Sequence, residues 1–262
     1  MEKITSLQNG WVKKLRALRE AGERREAGMT VIDGDREIRR ALAAGVVIEK
    51  IFWVRGQQEA FLRELSAAKI DAVEVSGQVM EKLAYGERHE GLMALARTPV
   101  VTLQDLKLSA RPLVVVLESL EKPGNLGAIL RTCDGAGVEA VLVCDPKTDL
   151  FNPNVIRSST GTVFSLPVVC QEREVVLAFL KSKKIKICAS TPAAQKIYTQ
   201  ADFKGAWAVV MGSEHKGLTG FWLSAAQVTV KIPMKGRADS LNVSTSAAII
   251  LYEALRQRER AI

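Results

Sequence analysis

The chain has 262 residues, 47% of them hydrophobic and 25% charged, which excludes a disordered or fibrous polymer and leaves room for one large domain or two ordinary ones. Lys and Arg outnumber Asp and Glu by 37 to 29, giving a formal charge of +8; that balance favours a polyanionic partner, nucleic acid before anionic membrane. Met1–Ser6 carries no apolar signal core and no apolar run approaches a membrane span, so a soluble, cytoplasmic protein without a membrane partner is expected.

The first charged run spans Val12–Arg25 and holds Lys13, Lys14, Arg16, Arg19, Arg24 and Arg25, with Lys3 upstream. Val12, Leu15 and Leu18 recur three apart, which predicts one amphipathic helix with a basic face. Strands are expected at Met29–Ile32, Ile48–Val54, Ala72–Val75 and Gly91–Ala96, separated by helical patterns. Together these make a small α/β domain. Asp33 and Asp35 beside Gly34 read as a turn, not a metal pair. Thr98–Pro112 reads as a linker, and the chain divides into 1–105 and 106–262.

From Leu113 the pattern becomes strand, loop, helix, repeated. Strands are expected at Leu113–Leu117, Ala140–Val143, Val163–Leu166, Ile185–Ala189, Ala206–Met211 and Val228–Ile232. Helices are expected to start near Asn125, Asn154, Glu172, Thr219 and Asn242. Continuous apolar strands alternating with helices predict an α/β fold with a mostly parallel sheet covered on both faces. Ligands of such sheets sit in the loops beyond the carboxyl ends of strands.

Three of those loops carry chemistry. Glu118–Arg131 has Pro123, Gly124 and Gly127 for tight turning, Asn125 as a cap, and Arg131 placed to share a side of the helix start with Asn125. A capped helix with a solvated Arg is the plain alternative. Ala208–Thr219 runs a strand into a glycine-bounded loop. Gly212 and Gly217 have the P-loop spacing, but Leu218 stands where a P-loop has Lys, which disfavours a nucleoside triphosphate. Glu214 is the acid of that loop, placed to accept from a ligand or from neighbouring backbone N–H groups. Asp239, Ser240, Asn242 and Ser244 add donors and acceptors, with Leu241 and Val243 as apolar walls. Hydroxyls, backbone amides, one carboxylate and little fixed positive charge suit a neutral or cationic adenine-containing cofactor better than ATP.

The cysteines, Cys133, Cys144, Cys170 and Cys188, form no CxxC pair and read as free thiols of a reducing compartment. His89 and His215 show neither triad nor metal spacing, so no metal is expected and His215 reads as a surface group. Trp11, Trp53, Trp207 and Trp222 read as core residues, with stacking on a base as the alternative for Trp11 should it be exposed.

Asn125-Leu-Gly-Ala-Ile-Leu-Arg131, Gly212-Ser-Glu-His-Lys-Gly-Leu218 and Ile232-Pro-Met-Lys-Gly-Arg-Ala-Asp-Ser-Leu-Asn-Val-Ser244 resemble, in order, the motifs of the SpoU/TrmH family. These are S-adenosylmethionine-dependent RNA ribose 2′-O-methyltransferases of the SPOUT superfamily. The resemblance covers about Leu113–Arg258. Ser6, Asn9, Lys13–Leu15, Gly34, Glu37 and Gly91–Ala94 resemble, more loosely, the substrate-binding domain of many members. The chain departs from that pattern at Ile32-Asp33-Gly34, where Phe-Glu-Gly or Val-Glu-Gly is common, and at His89-Glu90, where Pro-Gln is common. Those departures bear on RNA choice more than on reaction type.

The resemblance implies a deep trefoil knot, a homodimer and S-adenosylmethionine as cofactor. It implies an RNA substrate, 23S ribosomal RNA in preference to tRNA because of the separate N-terminal domain. A non-catalytic assembly factor is the rival from another class. Arg131 is the implied essential residue near the acceptor hydroxyl, with Asn125 positioning ribose or phosphate. Because a guanidinium holds its proton firmly, Arg131 is expected to bind phosphate and stabilise the developing alkoxide. Ser190, Thr191, Met211, Gly212, Ser213, Gly217, Ile232, Met234 and Leu241 are the implied cofactor contacts. Glu214, Ser240, Asn242 and Ser244 are expected to line the shared pocket, with Asn242 also capping the last helix.

Overall fold

The computed structural model describes residues 3–58, 61–64, 70–85 and 90–259, so His89 lies outside the described residues. The chain divides into two compact units, Met1–Val100 with Asp149–Ser165, and Val101–Thr148 with Leu166–Ile262.

The first unit contains β1 (Lys3–Ile4), α1 (Gly10–Ala17), α2 (Ala21–Ala27), β2 (Met29–Asp33), α3 (Asp35–Ala43), β3 (Ile48–Trp53), β4 (Ala72–Val75), α4 (Gly77–Leu83) and β5 (Leu92–Arg97). Its sheet has the order β1-β4-β3-β5-β2, parallel across β1, β4 and β3 and antiparallel from β3 to β5 to β2. Val12 and Leu15 of α1 bury with Phe52, Val75 and Met93, the three-residue spacing giving that helix its apolar stripe.

The single basic helix expected over Val12–Arg25 is two helices. Arg24 Nη1 donates to the carbonyls of Leu18 and Arg19, both at 2.7 Å. An uninterrupted helix would spend those carbonyls on the N–H groups of residues 22 and 23. Arg24 is therefore buried, 2% exposed, and its Nε reaches Asp149 at 2.5 Å. It serves the fold, leaving Lys13, Lys14, Arg16 and Arg25 on the surface.

The second unit begins with Val101, since Val101, Leu103, Leu106 and Leu108 pack on its core; the stretch read as a linker belongs largely to it. It contains β6 (Leu113–Glu118), α5 (Pro123–Gly135) and β7 (Ala140–Cys144). The chain then forms α6 (Pro153–Ser158) and α7 (Thr162–Ser165), which group with the first unit. It returns through β8 (Val168–Gln171), α8 (Arg173–Ser182), β9 (Lys186–Ser190), β10 (Lys196–Ile197), β11 (Trp207–Met211), α9 (Gly220–Ala225), β12 (Val228–Lys231) and α10 (Val243–Glu259).

The seven strands have the order β10-β12-β9-β11-β6-β7-β8, and every pairing is parallel. Residues of β6, β7 and β11 are all buried, as strands covered on both faces must be. The strand expected at Val163–Leu166 is instead the helical turn α7, and the strand follows Pro167. A short apolar run carries no period that separates helix from strand. Thr162 Oγ1 bonds the Ser159 carbonyl at 2.9 Å and closes the turn.

α5 buries Leu126, Ile129, Leu130 and Cys133, and it packs along α10, whose Ala247, Ile250, Leu251 and Ala254 are fully buried. Each buried Leu or Ile contributes roughly 1.5–3 kcal/mol, so these two helices hold the loops at their starts firmly. Cys133, Cys144 and Cys188 are buried and Cys170 exposed; burial pushes the Cys144 and Cys188 thiols up to about 12. Among the described residues no helix is long and apolar enough to cross a membrane.

Candidate active site

The carboxyl ends of β9, β11 and β12 are neighbours or near neighbours in the sheet, and the loops leaving them enclose one cavity of about 550 Å³. Ser190 and Thr191 follow β9; Met211, Gly212, Ser213, Glu214 and Gly217 end or follow β11; Ser240, Leu241 and Asn242 follow β12; all line it. Ile232 and Met234 line a smaller adjoining recess that shares Ser190, Thr191, Ser240 and Leu241 with the main cavity. Ser244 lines neither.

The β11 loop folds back on itself. Ser213 and Gly217 exchange backbone hydrogen bonds at 3.2 and 3.0 Å, and Ser213 Oγ accepts from the Lys216 N–H at 3.2 Å. Gly217 takes a φ of +64°, and a Cβ on Gly212 would lie 2.1 Å from the Gly217 carbonyl carbon. Glycine at 212 is therefore demanded by close backbone approach, which also bares a stretch of main chain to the cavity. Thr219 closes the loop: its N–H and hydroxyl both donate to buried Glu118, at 2.8 and 2.7 Å.

A continuous chain of hydrogen bonds joins the other loops. Ser244 donates through its N–H at 2.9 Å and its hydroxyl at 2.6 Å to Asn242 Oδ1. Asn242 Nδ2 donates to Asn125 Oδ1 at 3.2 Å, and Asn125 Nδ2 donates to Glu214 Oε1 at 2.6 Å. The first link is an N-cap, since Ser244 is in the opening turn of α10. Asn242 thus caps the helix and ties two loops together, and it also stands in the cavity wall. Burial alone would raise the Glu214 carboxyl, but bonds from the Asn125 side chain and from the backbone N–H groups of Glu214, Glu121 and Lys122 outweigh it and hold Glu214 below the usual carboxylate range.

That sign fixes a pH window. A carboxylate with a depressed folded value stays charged at neutral and mildly acidic pH; its contribution is lost only as pH falls below the ordinary 4.5 and through the folded value. Glu214→Gln keeps one acceptor and must give up a bond to either Asn125 or the Glu121 N–H. Cofactor-product affinity measured by calorimetry is expected to fall by roughly tenfold at neutral pH, the scale of one lost charge-assisted hydrogen bond. Wild-type affinity in the Gln variant would remove Glu214 from the site.

Arg131 stands apart. Six residues carry a helix about 240° round, so Arg131 lies about 120° from Asn125 on α5 and the two do not share a side. It is exposed and absent from the cavity lining, and its side chain makes no hydrogen bond or ion pair among the described residues. Lys122, Pro192 and Lys216 line the cavity without having been singled out in the sequence; His215, read as a surface group, is exposed and also lines it. Lys122 directly precedes the Pro123 that opens α5, and that position was the signal available. The two lysines put more positive charge at the cavity than the loop composition suggested.

The donor set fits an adenosine-bearing cofactor with an amino-acid tail: hydroxyls and open backbone for the nucleoside, Leu218, Leu241 and Val243 as apolar walls, and lysines for a carboxylate. Comparison with known proteins agrees. The pattern of the SpoU rRNA methylase family matches residues 112–252. The chain belongs to this family.

An MRM3-like substrate-binding domain matches residues 9–94, within the first unit. Among relatives, the 23S rRNA (guanosine(2553)-2′-O)-methyltransferase RlmP of Bacillus subtilis is 26% identical, over 96% of this chain and 98% of that protein. A crystal structure of an RNA 2′-O ribose methyltransferase is 45% identical with a TM-score of 0.88, covering 98% of this chain and all of that one. The AdoMet-bound rRNA methyltransferase of Sinorhizobium meliloti is 28% identical with a TM-score of 0.89, covering 97% of each chain. The all-parallel sheet flanked by helices is thus the fold of SpoU methyltransferases, joined here to a small α/β unit.

Proposed function

We propose that this chain transfers a methyl group from S-adenosylmethionine to a ribose 2′-hydroxyl of RNA, with 23S ribosomal RNA as the substrate. The observation that carries the reading is the Ser244–Asn242–Asn125–Glu214 hydrogen-bond chain, which draws together all three family motifs beside one cavity. The names of full-length relatives, RlmP among them, support the RNA.

S-adenosylmethionine supplies, when bound, a methyl carbon already activated by the adjacent sulfonium charge. The protein's part is position and electrostatics. Ser190, Thr191 and the main chain at Met211, Gly212 and Leu241 would hold the adenosine, with Ile232 and Met234 closing the adjoining recess. Glu214, Ser240 and Asn242 would fix the reacting end, and Ser244 would keep Asn242 in its orientation. Arg131, whose side chain has no partner among the described residues, would bind an RNA phosphate and stabilise negative charge on the 2′-oxygen as its proton passes to solvent. Exposed Lys13, Lys14 and Arg16 of the first unit would contact further phosphates, which makes binding salt-dependent.

A homodimer, the knotted path of the last segment and a cytoplasmic location belong to the same reading. Tyr252, half-exposed on α10 with its hydroxyl beside Gly135 of α5, supports a partner-covered face there; light scattering in solution checks the mass. The function itself is tested by incubating unmodified ribosomal RNA with the protein and methyl-labelled cofactor, then mapping 2′-O-methyl sites. One site in 23S RNA is expected. Label confined to tRNA would change the substrate, and cofactor binding with no labelled RNA would leave a non-catalytic binding protein.

A further inference from the structure

We propose that the cavity around Trp11 is a nucleotide-docking site, taking an unpaired RNA base against the indole and a neighbouring phosphate on Lys14. This rests on the RNA-methyltransferase reading above and names where the first unit grips its substrate. The cavity measures about 660 Å³ and includes Asn9, Trp11, Lys14, Lys50 and Asp71 in its walls. That volume accommodates a nucleoside.

Trp11 is 37% exposed, whereas Trp207 and Trp222 are buried. Its ring leans on Phe52, centroids 6.1 Å apart, so the indole is held from within the unit. The Nζ atoms of Lys14 and Lys50 lie over the ring, 5.4 and 4.9 Å from its centroid, so a stacking base takes the place of a flexible lysine tip. Lys50 is ion-paired with Asp71, while Lys14 has no ion-pair partner among the described residues and is the cation left for a phosphate. Asn9 Oδ1 accepts from the Trp11 N–H at 2.8 Å and fixes the start of α1. Its amide Nδ2 has no partner among the described residues and remains a donor for a base edge.

The combination separates this surface from a merely basic one. Lysines alone grip phosphates and ignore the bases. An aromatic face beside a cation offers stacking, which any base accepts, together with a phosphate contact one nucleotide away. Unpaired bases, not duplex, are what such a platform takes.

The test uses the full chain and two labelled probes of equal length, oligo(A) RNA and an abasic ribose-phosphate chain, with binding read by anisotropy. Trp11→Ala is expected to weaken oligo(A) binding about tenfold, the scale of one lost stack, and to leave the abasic probe unaffected. Trp11→Phe should lose only part of that, and Lys14→Ala should weaken both probes and lower the salt slope. Thermal melting reports whether each variant is folded. If Trp11→Ala does not fold, oligo(A) quenching of tryptophan emission in the parent and its disappearance in Trp11→Phe decide the question.

Unchanged oligo(A) binding in folded Trp11→Ala, equal losses for both probes, or no Trp11 quenching overturns the proposal. The same preparations are assayed for methyl transfer. Methylation without Trp11-dependent binding rejects this site and keeps the enzyme; Trp11-dependent binding without methylation rejects the enzyme and keeps the site.

Discussion

Gly212→Ala is expected to weaken cofactor binding by roughly thirtyfold or more and to lower methyl transfer with it. The added Cβ would meet the Gly217 carbonyl carbon at 2.1 Å, its oxygen at 2.3 Å and the Leu218 nitrogen at 2.3 Å. These are backbone atoms of a loop already closed by two Ser213–Gly217 hydrogen bonds, so no side chain can swing aside to make room. Separating them means opening the loop, whose far end is fixed by Thr219 on Glu118. Relief of such a clash costs at least about 2 kcal/mol, or roughly thirtyfold in affinity, and the opened loop no longer presents Glu214 to Asn125. Calorimetry with S-adenosylhomocysteine on a variant with a native circular dichroism spectrum measures it. Affinity within threefold of the parent, about 0.65 kcal/mol, would mean that the β11 loop is not the cofactor's cradle. Gly217→Ala makes a useful contrast, because nothing lies within 4 Å of its added Cβ and only the φ of +64° opposes it.

The second large effect is expected at Arg131. Arg131→Ala should lower kcat by about a thousandfold, in the range seen when a group that stabilises transition-state charge is removed. Cofactor affinity and melting temperature should stay where they are. That separation follows from the structure: Arg131 is exposed, lines no part of the cavity and its side chain makes no hydrogen bond or ion pair among the described residues, so its removal disturbs neither fold nor pocket. Arg131→Lys should recover only part of the rate, since an ammonium lacks the planar fork that grips a phosphate at two points. Single-turnover methylation under saturating cofactor is the measurement. Undiminished turnover in the Ala variant would end the catalytic assignment, and a matching loss of cofactor affinity would move Arg131 into the cofactor site.

Much of this architecture is written locally in the chain. Leu113–Glu118, Ala140–Cys144 and Trp207–Met211 are continuous apolar runs, because a parallel strand buried on both faces has no polar side to show. The starts of α5, α8, α9 and α10 fall within two residues of where capping residues and prolines place them. What failed locally was decided elsewhere. No pattern around Arg24 says that it will turn inward and split a helix, because the carboxylate it meets is Asp149. Val163–Leu166 has the composition of a strand, and Thr162 and Ser159 make it a turn.

The site divides the same way. Asn125 pairs with residues 89 and 117 positions away, so no local spacing shows its contacts with Glu214 and Asn242; resemblance to a family assigned the three residues to one site without pairing them. Arg131 shows the limit of motif reasoning. The motif brings it to attention, but helical geometry sends it to another side of α5. Glu118, which anchors the β11 loop, drew no notice because a lone acid at a strand end has no signature of its own.

The excursion of residues 149–165 bears on how the protein is made. Arg24 and Asp149 are 125 residues apart, and Thr30 and Phe151, which are bonded through the Thr30 hydroxyl and the Phe151 carbonyl, are 121 apart. A ribosome adding about 5–20 residues per second therefore takes on the order of ten seconds between delivering the guanidinium and delivering its counter-ion. During that interval the N-terminal segment waits with a cation that its finished form keeps inside. Nascent chains of increasing length, probed by brief proteolysis, are expected to protect this segment only after Ser165 has emerged; protection of a chain ending at Val100 would contradict that. The order of synthesis and the order of folding thus diverge, and the part translated first is among the last to be completed.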